Sequence, residues 1–423
     1  RTLEPDPDYA GVGKGIYILS SSRNPIAKQH GTTMKYITYL VFIAILQSNS
    51  IAAETQADDD ENTIIVTADY RDSLLVDSST SVTVLTDAEL KQSAEQHLEE
   101  VINLFPNLNW AWGSSRPKFF QIRGIGELDQ YEGAPNPSVA MIIDDIDFSS
   151  MGMLANLFDV AQVEVLRGPQ SARYGANAIA GMIQVKSRDP QAETEVNSQL
   201  ILGDYDTSGI ALSASGSLSD SDKVMGLISI DQYQNNGFRN NIYLQRDDTN
   251  ERDEFNLRAK LRWLPDDNQE LKLTLIKSKL DNGYDVWALD NTYRTRTDKP
   301  GEDSQETDAV AGRWQVTGES LDWLFISTYA DIDNDVAFDG DWGNPDYWGT
   351  DGPYDFTSDT QRQRTTTTNE IRLLSKPMTA SQNSDWVVGL YQQSLDEDND
   401  ILDLYNGAEF RTLSSQYSAD TLA

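Results

Sequence analysis

One stretch of the sequence, DGDWGNPDYWGTDGPYDF at 339–356, combines aromatic rings with carboxylates. Its rings are Trp342, Tyr347 and Trp348, and its carboxylates include Asp339, Asp341, Asp346 and Asp351. Aromatic faces with carboxylates suit a sugar ring or a cationic ligand better than an anionic metal chelate. Calcium also takes several carboxylate oxygens, but the overlapping DIDNDVAFDGDW lacks the glycine and the final glutamate of an EF-hand loop. We therefore predict a substrate-contacting loop here and no metal site.

Residue types that suit covalent or acid–base catalysis are scarce. The 423 residues include no cysteine and two histidines, His30 and His97. The lack of cysteine excludes disulfides, thiolate metal sites and cysteine nucleophiles. His97 lies in AEQHLEE and is predicted to occupy the solvated flank of a helix. Because the carboxylates alone do not assemble an acid, a base and a nucleophile, we predict neither an enzyme nor a bound cofactor.

The charge of the chain limits its partners. Its formal net charge is -35 at pH 7, with 68 acidic and 33 basic residues. The phosphates of nucleic acids and anionic lipid headgroups would be repelled by the bulk of such a surface. We therefore predict no nucleic-acid partner, and a well-solvated surface that attracts cations.

The segment MKYITYLVFIAILQSNSIAAETQ, which begins at Met34, is typical of a secretory signal. A lysine precedes an apolar core of about a dozen residues, and small residues follow at Ala52 and Ala53. This core is shorter than the roughly 20 residues that a membrane-spanning helix needs, so we expect it to be cleaved. Residues 34–53 are predicted to be a signal peptide, and residues 1–33 an unstructured stretch ahead of the true start of translation.

Residues 70–190 are predicted to form a small mixed α/β domain. TDAELKQSAEQHLEEVINLFPNL places Thr86 and Glu89 at the spacing of a capping box, and apolar or small residues recur at helical intervals until Pro106. Four short β runs surround this helix: SVTVLT, FFQIRG, SVAMIIDDI and VAQVEVLRG. Loops rich in glycine, proline and asparagine separate them.

Two motifs in this domain resemble a known family. FFQIRGIG is followed by VEVLRGPQSARYGANAIAGMIQVKS at 163–187. Together they resemble the plug domain of TonB-dependent outer-membrane receptors. The matching residues are Arg123, Gly124, Arg167, Gly168, Pro169, Ser171, Arg173, Tyr174, Gly175 and Gly181. Ala180 and Gln184 depart conservatively from the glycine and asparagine that are usual in the family.

The arginines of these motifs are cations in a strongly acidic chain, so they are candidates for ion pairs. A plug sits in a polar lumen, and the rigid guanidinium fork suits bidentate pairing with lumen carboxylates. We therefore predict such pairs for Arg123, Arg167 and Arg173. The alternative is that these side chains cap turns on the surface of a soluble domain.

From residue 191 the sequence changes to segments in which polar and apolar residues alternate. Nine such segments are EVNSQLILG, SGIALSASGSL, KVMGLISIDQY, EFNLRAKLRWL, QELKLTLIKSKL, DAVAGRWQVTG, LDWLFISTYADI, RTTTTNEIRLLS and DWVVGLYQQSL. This period of two is typical of strands with one wet and one apolar face. Short turns alternate with long polar loops, as in outer-membrane barrels. Rings that favour a membrane interface lie near the segment ends, at Trp263, Trp314, Trp323, Tyr329, Trp386 and Tyr391.

We predict that 191–423 forms the N-terminal part of a transmembrane antiparallel β-barrel that follows the mixed α/β plug. About ten strands are counted, against the 22 of plugged outer-membrane transporters, so the barrel is expected to be incomplete. An ordinary soluble β-sandwich is the alternative, since it could use the same rings in its core.

The resemblance also implies a role for the acidic leader at 54–69. In the family a short segment ahead of the plug, the TonB box, is left free so that a periplasmic energy-coupling protein can bind it. The predicted box is TIIVTA, with Thr63, Ile64, Ile65, Val66, Thr67 and Ala68. Its β-branched residues favour an extended backbone that can add to a sheet edge of the partner. The alternative is that these residues form the first strand of the plug.

The function that the resemblance implies is active import of a scarce nutrient across a Gram-negative outer membrane, after export through the Sec pathway. The nutrient would be a ferric siderophore or other metal chelate, cobalamin, or an oligosaccharide. The implied partners are TonB with ExbB and ExbD, outer-membrane lipid and lipopolysaccharide, and the small-molecule substrate, with the receptor a monomer. Predicted substrate contacts are Trp110, Trp112, Arg116, Tyr131, Trp342, Tyr347 and Trp348. For the tryptophans of the plug, packing against the barrel wall is the alternative. A passive porin, an adhesin or a phage receptor is the alternative function.

Overall fold

The computed structural model describes residues 64–66, 73–78, 80–93, 95–111, 115–128, 135–170, 178–349, 355–376 and 385–423. Several predictions fall outside these ranges. They concern residues 1–33, the signal peptide, and Thr63, Thr67, Ala68, Trp112, Tyr131, Ser171, Arg173, Tyr174, Gly175 and Asp351. No helix in the described ranges combines the length and the apolar character needed to cross a membrane.

The first third of the described chain is a small α/β domain, here called the plug. Its strands are β1 (Ile65–Val66), β2 (Ser73–Leu74), β3 (Ser81–Thr86), β4 (Leu108–Ala111), β5 (Phe119–Ile122), β6 (Val139–Ile143), β7 (Ile146–Asp147), β8 (Val160–Arg167) and β9 (Gly181–Ser187). Its helices are α1 (Asp87–Ser93) and α2 (Leu98–Val101), with 3₁₀ turns at Leu75–Asp77, Ile102–Leu104 and Gly152–Leu154. Five strands form one sheet in the order β3-β8-β9-β6-β7, and β4 pairs with β5. Only β6 and β9 run parallel within the described plug sheets.

The predicted plug helix is capped as expected but is not continuous. The backbone N–H of Thr86 donates to Glu89 Oε2 at 2.8 Å, and the backbone N–H of Glu89 donates to Thr86 Oγ1 at 3.4 Å. This reciprocal pair is the predicted capping box. The helix ends at Ser93 and resumes at Leu98, because the backbone between them pairs with another segment: Leu157 N donates to Gln96 O at 2.8 Å. A helix that runs unbroken to Pro106 was therefore the wrong expectation.

His97 lies at this break and is buried, not solvated as predicted, with 2% of its surface exposed. Its Nδ1 accepts from Glu99 N at 3.2 Å and so caps α2. Its Nε2 lies 3.2 Å from the carbonyl oxygen of Met153, to which it donates. The ring therefore joins two segments of the plug, and contacts distant in sequence override the helical period.

Ten long strands follow the plug and form one antiparallel sheet, here called the wall. They are β10 (Glu195–Leu202), β11 (Ser208–Ser217), β12 (Val224–Asn235), β14 (Arg252–Trp263), β15 (Gln269–Gly283), β17 (Glu302–Thr317), β18 (Leu321–Asp339), β19 (Phe356–Ser375), β20 (Val387–Tyr405) and β21 (Ala408–Leu422). Each pairs with the next along the chain. The short strands β13 (Asn240–Asn241) and β16 (Arg294–Thr295) pair in parallel between connections, and α3 (Pro345–Trp348) follows β18.

Each of the nine predicted segments lies in one of these strands, but the strands differ from the prediction in two ways. β21 was not predicted, and β17 to β20 extend far beyond their apolar segments. β18, for example, continues through Asp331, Asp333 and Asp335 to Asp339. Charged residues replace apolar ones there while the ladder of backbone hydrogen bonds continues.

The two ends of the wall differ in their connections. At one end, the turn end, short connections span 218–223, 264–268 and 318–320. At the other, the loop end, long connections span 236–251, 284–301 and 340–355. Two connections at the loop end are also short, at 203–207 and 406–407, and one connection at the turn end, 376–386, is eleven residues long. The predicted asymmetry between the ends is therefore present, with these exceptions.

The wall is inverted relative to a soluble sheet. Along β12 the side chains of Ser229 and Asp231 are buried beneath the plug, whereas Ile228 and Ile230 are 48% and 39% exposed. Other strands repeat the pattern, with buried Glu254, Thr274, Asp303 and Thr328, and exposed Leu212, Leu273, Ile371 and Val388. A polar inner face and an apolar outer face are the pattern of a transmembrane barrel. This excludes the soluble β-sandwich.

Aromatic rings cluster on the outer face near the turn end. Trp263, Trp314 and Trp323 are between 41% and 46% exposed. Phe325 stacks between two of them, 5.3 Å from the ring of Trp314 and 6.2 Å from that of Trp323. Amphipathic rings favour the membrane interface, so this cluster marks one boundary of the apolar band.

Candidate functional site: the plug–wall interface

The plug and the wall are joined by two groups of ion pairs at different heights. The first, here called the loop-side network, consists of Glu99, Arg116, Lys118, Glu254 and Asp303. Glu254 and Asp303 lie within the first three residues of β14 and β17, close to the loop end. The second, here called the turn-side network, consists of Asp144, Asp145, Asp189, Lys260, Lys272 and Arg313. Its cations lie nearer the turn end of β14, β15 and β17.

Arg116, on the connection between β4 and β5, is the centre of the loop-side network. Its side chain is fully buried. Nε and Nη2 donate to the two carboxylate oxygens of Glu254, both at 2.7 Å, and Nη1 donates to Glu99 Oε1 at 2.7 Å. The predicted contact between Arg116 and substrate is therefore wrong, since all three nitrogens of the guanidinium face carboxylates of the protein. A bidentate Arg–carboxylate pair fixes both position and orientation of the partners.

Lys118 extends this network to two further strands. Its Nζ donates to Asp303 Oδ1 at 2.9 Å and to Asn334 Oδ1 at 3.0 Å. The other oxygen of Asp303 accepts from the backbone N–H of Ser115 at 2.5 Å. The connection at 115–118 is thus held to β14, β17 and β18 by charged groups that are themselves buried.

The turn-side network has the opposite polarity, since here the plug supplies the carboxylates. Lys260 Nζ lies 3.0 Å from Asp144 Oδ1, and Arg258 Nε lies 3.5 Å from Asp144 Oδ2. Asp144 also accepts from the backbone N–H and hydroxyl of Ser187 at 3.0 and 2.6 Å. Two further pairs complete the network: Lys272 with Asp189 at 2.7 Å and Arg313 with Asp145 at 3.2 Å.

Ionisation of the plug groups follows from these neighbours. Burial acts against a charged guanidinium, but the carboxylates of Glu254 and Glu99 outweigh it and raise the pKa of Arg116. Burial likewise opposes ionisation of Asp144, yet Lys260 and Arg258 keep its pKa below the ordinary value. Arg116 and Asp144, at the centres of the two networks, are therefore charged near neutral pH.

Two other plug groups beside the loop-side network ionise less readily. Burial and the nearby charge of Arg116 lower the pKa of His97 well below its ordinary value, so the ring is neutral near pH 7. Burial and a hydrogen bond with Glu95 raise the pKa of Glu100 to about 7. The loop-side network thus borders on groups that titrate near or below neutrality.

The two motif arginines that the structure describes, Arg123 and Arg167, do not take part in either network. Arg167 Nε donates to Pro106 O at 3.0 Å and its Nη1 to Thr83 Oγ1 at 2.8 Å, both within the plug. Arg123 Nη2 lies 3.5 Å from Ser81 Oγ, also within the plug. The prediction that these two arginines pair with lumen carboxylates is wrong, because they tie β3 and β8 to the neighbouring connections instead.

The motif glycines have local roles in the same region. Gly181 has φ +155° and begins β9, and a Cβ added there would lie 2.3 Å from the carbonyl oxygen of Leu166. Only glycine permits that approach of β9 to β8. Gly124 and Gly168 have φ of +78° and +104°, at the turns that follow β5 and β8.

The predicted TonB box is partly described, and its described residues are not free. Ile65 and Val66 form β1 and pair with Leu74 and Ser73 of β2. The side chain of Val66 is 0% exposed and packs with Leu166 and Met182, whereas Ile65 is 47% exposed. The expectation of a detached segment is corrected here, because burial of one β-branched side chain docks it on the plug. Its identity as the binding segment stays a prediction.

Three connections at the loop end pack together as one group, here called the loop cluster. Asp285 Oδ2 accepts from Asn241 Nδ2, Thr249 Oγ1 and Thr295 Oγ1 at 2.9, 2.8 and 2.7 Å. Trp287 stacks on Trp342 with ring centroids 5.4 Å apart. The connections 236–251, 284–301 and 340–349 are therefore fixed to one another.

The loop predicted to contact substrate lies in this cluster. Trp342 and Tyr347 are 37% and 47% exposed, and the guanidinium of Arg296 lies 5.4 Å from the ring centre of Tyr347. Asp341 is buried and accepts from Gly343 N, Phe356 N and Trp348 Nε1, so its carboxylate shapes the loop. Among the described residues no group of three acidic or histidine side chains is placed to hold a metal ion.

Trp110 is the described plug residue that keeps an exposed ring, at 37% exposure, opposite Phe120 on β5. Sequence reasoning missed Glu254, Asp303 and Lys260, although one signal pointed to them. All three have the strand parity of the inner face, where a charged side chain needs a partner from the plug.

Comparison with known proteins agrees with this architecture. The family model for the TonB-dependent receptor plug domain matches residues 75–182. The vitamin B12 transporter BtuB of Vibrio vulnificus is 26% identical over 199 residues, which are 45% of this chain and 30% of that protein. The pesticin receptor of Yersinia pestis is 28% identical over 145 residues, 34% of this chain and 21% of that protein. The chain thus spans less than a third of the length of each.

A solved structure shares the fold of both halves. The ferric yersiniabactin uptake receptor FyuA from Yersinia pestis superposes with a TM-score of 0.70 at 20% identity, over 81% of this chain and 52% of that one. That coverage includes the wall as well as the plug. Residues 75–182 therefore match the TonB-dependent receptor plug domain, and this domain lies against the polar face of a wall with the fold of a receptor barrel.

Proposed function

We propose that the protein imports a scarce nutrient actively across a Gram-negative outer membrane, as a monomer embedded in lipid and lipopolysaccharide. The nutrient is a ferric siderophore or other metal chelate, cobalamin, or an oligosaccharide. Force is supplied by TonB with ExbB and ExbD. The observation that carries the proposal is a contrast in attachment: buried ion pairs fix the plug to the wall, while the leading segment is attached by two residue pairs.

The leading segment can be released at low cost. β1 and β2 contain two residues each. Beyond this ladder, Leu75 N donates to Ile64 O at 2.8 Å and Gln162 Nε2 donates to Ile65 O at 3.1 Å. Each such bond contributes about 1 kcal/mol to stability, so the segment exchanges readily between docked and extended states. Once extended, its backbone can add to a sheet edge of the coupling protein.

The loop cluster supports capture of the nutrient at the loop end. It presents the exposed rings of Trp342 and Tyr347 on a scaffold held together by Asp285 and the Trp287 stack. Such rigid aromatic surfaces suit a sugar ring or a cationic ligand. The similar proteins named above carry vitamin B12 or ferric yersiniabactin in their names, and those ligands belong to the proposed range.

Binding of the coupling protein is the decisive test. A peptide spanning residues 58–72 is titrated with the purified periplasmic domain of TonB from the same bacterium. We expect saturable binding that Ile65→Pro abolishes, because proline removes a ladder N–H, and that Ile65→Ala preserves. Binding that survives the proline, or no binding of the unsubstituted peptide, would count against active import.

The docked state gives a second readout in the intact protein. Val66→Ala removes two buried methyl groups, which weakens docking by about 1–2 kcal/mol. Affinity of the intact protein for TonB should then rise up to about tenfold, while affinity of the isolated peptide stays nearly constant. Equal changes in both would show that Val66 acts in the bound state and not through docking.

A further inference from the structure

A cavity separates part of the plug from the wall on the turn side. Its volume is about 380 Å³. Its plug lining comes from the β6–β7 hairpin and β9, and its wall lining from inward residues of β14 to β20 that include Arg313, Thr368 and Arg372. These wall residues lie in the turn-end halves of their strands, so the cavity lies on the side of the plug away from the loop cluster.

Charges of both signs line this cavity, which makes it a hydrated space. Asp145 and Asp147 face it from the plug, and Lys272, Arg313 and Glu370 from the wall. At roughly 30 Å³ per molecule its volume holds about a dozen waters. Pockets for small ligands commonly measure about 300–1,000 Å³, and this cavity lies near the lower end of that range. A bulky nutrient therefore needs a wider opening than the resting state provides.

The boundary of the cavity is the weakest edge of the plug sheet. β7 is an outermost strand in the order β3-β8-β9-β6-β7, and it pairs with β6 through two residue pairs. By comparison, β8 and β9 share seven residue pairs. Moving the β6–β7 hairpin therefore breaks far fewer backbone hydrogen bonds than separating the central strands.

The hairpin turn is held to the wall by the turn-side network. Its two turn residues, Asp144 and Asp145, both have positive φ, at 49° and 71°, as in a two-residue hairpin turn of type I′. Asp144 is bound by Lys260 and Asp145 by Arg313. Gln393 Nε2 also donates to Asp147 Oδ2 at 3.2 Å. The side chains of Asp145 and Arg313 are 27% and 29% exposed, so water already reaches this pair.

We propose that the nutrient leaves toward the periplasm through this cavity, and that the β6–β7 hairpin is its gate, held shut by Asp144 and Asp145 on wall cations. The proposal rests on the import function above and names its exit route. When the plug is pulled, the hairpin detaches from Lys260 and Arg313 and the cavity widens along the β7 edge. The loop-side network keeps the opposite side of the plug attached to β14, β17 and β18.

Ion conductance tests the gate without any energy-coupling protein. The native protein is reconstituted in planar lipid bilayers, with KCl as the probe. Asp144→Asn combined with Asp145→Asn keeps the turn, because asparagine tolerates positive φ, but removes both charges. We expect the mean current to rise by about tenfold or more. The matched control is Asp308→Asn, which removes a carboxylate bound to Lys277 at 2.9 Å on the outer face, and its current should stay at the unsubstituted level.

Exchanging the two charges of the Asp145–Arg313 pair tests whether a raised current comes from the lost ion pair or from loss of folding. Asp145→Arg alone should raise the current, and Asp145→Arg with Arg313→Asp should lower it again by restoring an attractive pair. A current that stays at the unsubstituted level in the double asparagine variant overturns the gate. So does a raised current in Asp145→Arg that the second substitution leaves unchanged.

The route itself is tested with thiols, since the chain contains no cysteine. In the double asparagine variant, Thr368→Cys places a thiol in the cavity, and Asn369→Cys places one on the outer face of the same strand. A negatively charged methanethiosulfonate reagent should block most of the current only in the Thr368→Cys protein. A raised current that is not blocked there shows a path elsewhere and overturns the exit route. These outcomes do not depend on TonB, so a failed coupling test would leave them unchanged.

Discussion

The loop-side and turn-side networks hold the same plug to the same wall with opposite polarity. On the loop side the buried plug cation Arg116 meets wall carboxylates, and on the turn side the plug carboxylate Asp144 meets wall cations. If the plug were inverted in the wall, Arg116 would face wall cations and Asp144 would face wall carboxylates. The pair of networks therefore sets the depth and rotation of the plug, although buried ion pairs in themselves add little net stability.

The two networks also differ in how completely water is excluded. Arg116 and Lys118 are 0% and 5% exposed, whereas the turn-side pair of Asp145 and Arg313 is partly open to the cavity. An ion pair in water contributes little, and one whose partner is removed in a dry site costs a great deal. Four substitutions or conditions sharpen this contrast.

The largest effect is expected from Arg116→Leu. It leaves the carboxylate of Glu254 buried without its cation, which costs about 3–5 kcal/mol, whereas Glu99 keeps Arg252 at 3.0 Å. Denaturant unfolding followed by the plug signal should show this loss. Adding Glu254→Leu should recover part of it, because the uncompensated charge is removed as well. A loss below 1 kcal/mol for the single variant would show that water reaches this network.

A smaller effect is expected from Asp144→Asn. The amide oxygen still accepts from Ser187, but the charge that faces Lys260 and Arg258 is lost, and we expect a destabilisation of about 1–3 kcal/mol. The same unfolding measurement applies. Asp144 and Lys260 are 4% and 6% exposed, so the smaller effect comes from the hydrogen bonds that the amide keeps. An effect equal to that of Arg116→Leu would show that the amide does not keep them.

Acidification is expected to remove the contribution of His97 to stability. The pKa of His97 is lowered in the folded protein, so its contribution to stability is complete above the unfolded value of about 6.5 and is lost as the pH falls below it. The loss is at most about 1.4 kcal/mol per pH unit. Glu100 acts in the opposite direction, since its raised pKa favours folding at lower pH.

The contribution of His97 can be isolated by comparison with His97→Asn, which keeps a capping oxygen for α2 and does not titrate. Unfolding is measured from pH 7 to pH 5. The unsubstituted protein should lose more stability than the variant over this range. If the stability of the two proteins changed in parallel with pH, the imidazole of His97 would be binding protons equally in the folded and unfolded states.

The smallest effect is expected from Lys277→Gln on the outer face. Its ammonium binds Asp308 at 2.9 Å, but both side chains are more than 40% exposed. Exposed pairs contribute about 0–1 kcal/mol, so unfolding should be nearly unchanged. A large loss here would mean that burial does not decide how much an ion pair contributes to the stability of this protein.

The parts of this structure that depend on local pattern were predictable from sequence. Alternation revealed nine wall strands, and Thr86 with Glu89 revealed the start of α1. β21 was missed because AEFRTLSSQYSADTL has few apolar residues at alternate positions. The polar extensions of β17 to β20 were missed for the same reason, since their strand conformation is imposed by neighbouring strands.

The parts that depend on distant partners were not predictable. Arg116 is bound by Glu254, which is 138 residues away in the chain. Without that partner in view, an arginine beside tryptophans suggested a ligand contact. His97 was misplaced likewise, because its burial follows from Met153 and Arg116 and not from the residues beside it. The alternation along a strand shows which wall residues face inward, but it does not reveal which plug residue each inward charge binds.

The length of β18 has a consequence for the height at which the loop cluster stands. Its 19 residues measure about 60 Å at roughly 3.3 Å per residue. At a tilt of 35–45° this is a height of about 45 Å, against an apolar band of about 25 Å. Some 20 Å of strand must therefore stand clear of the lipid. The aromatic surface around Trp342 is carried on that collar, above the headgroups, where a dilute solute arrives by free diffusion.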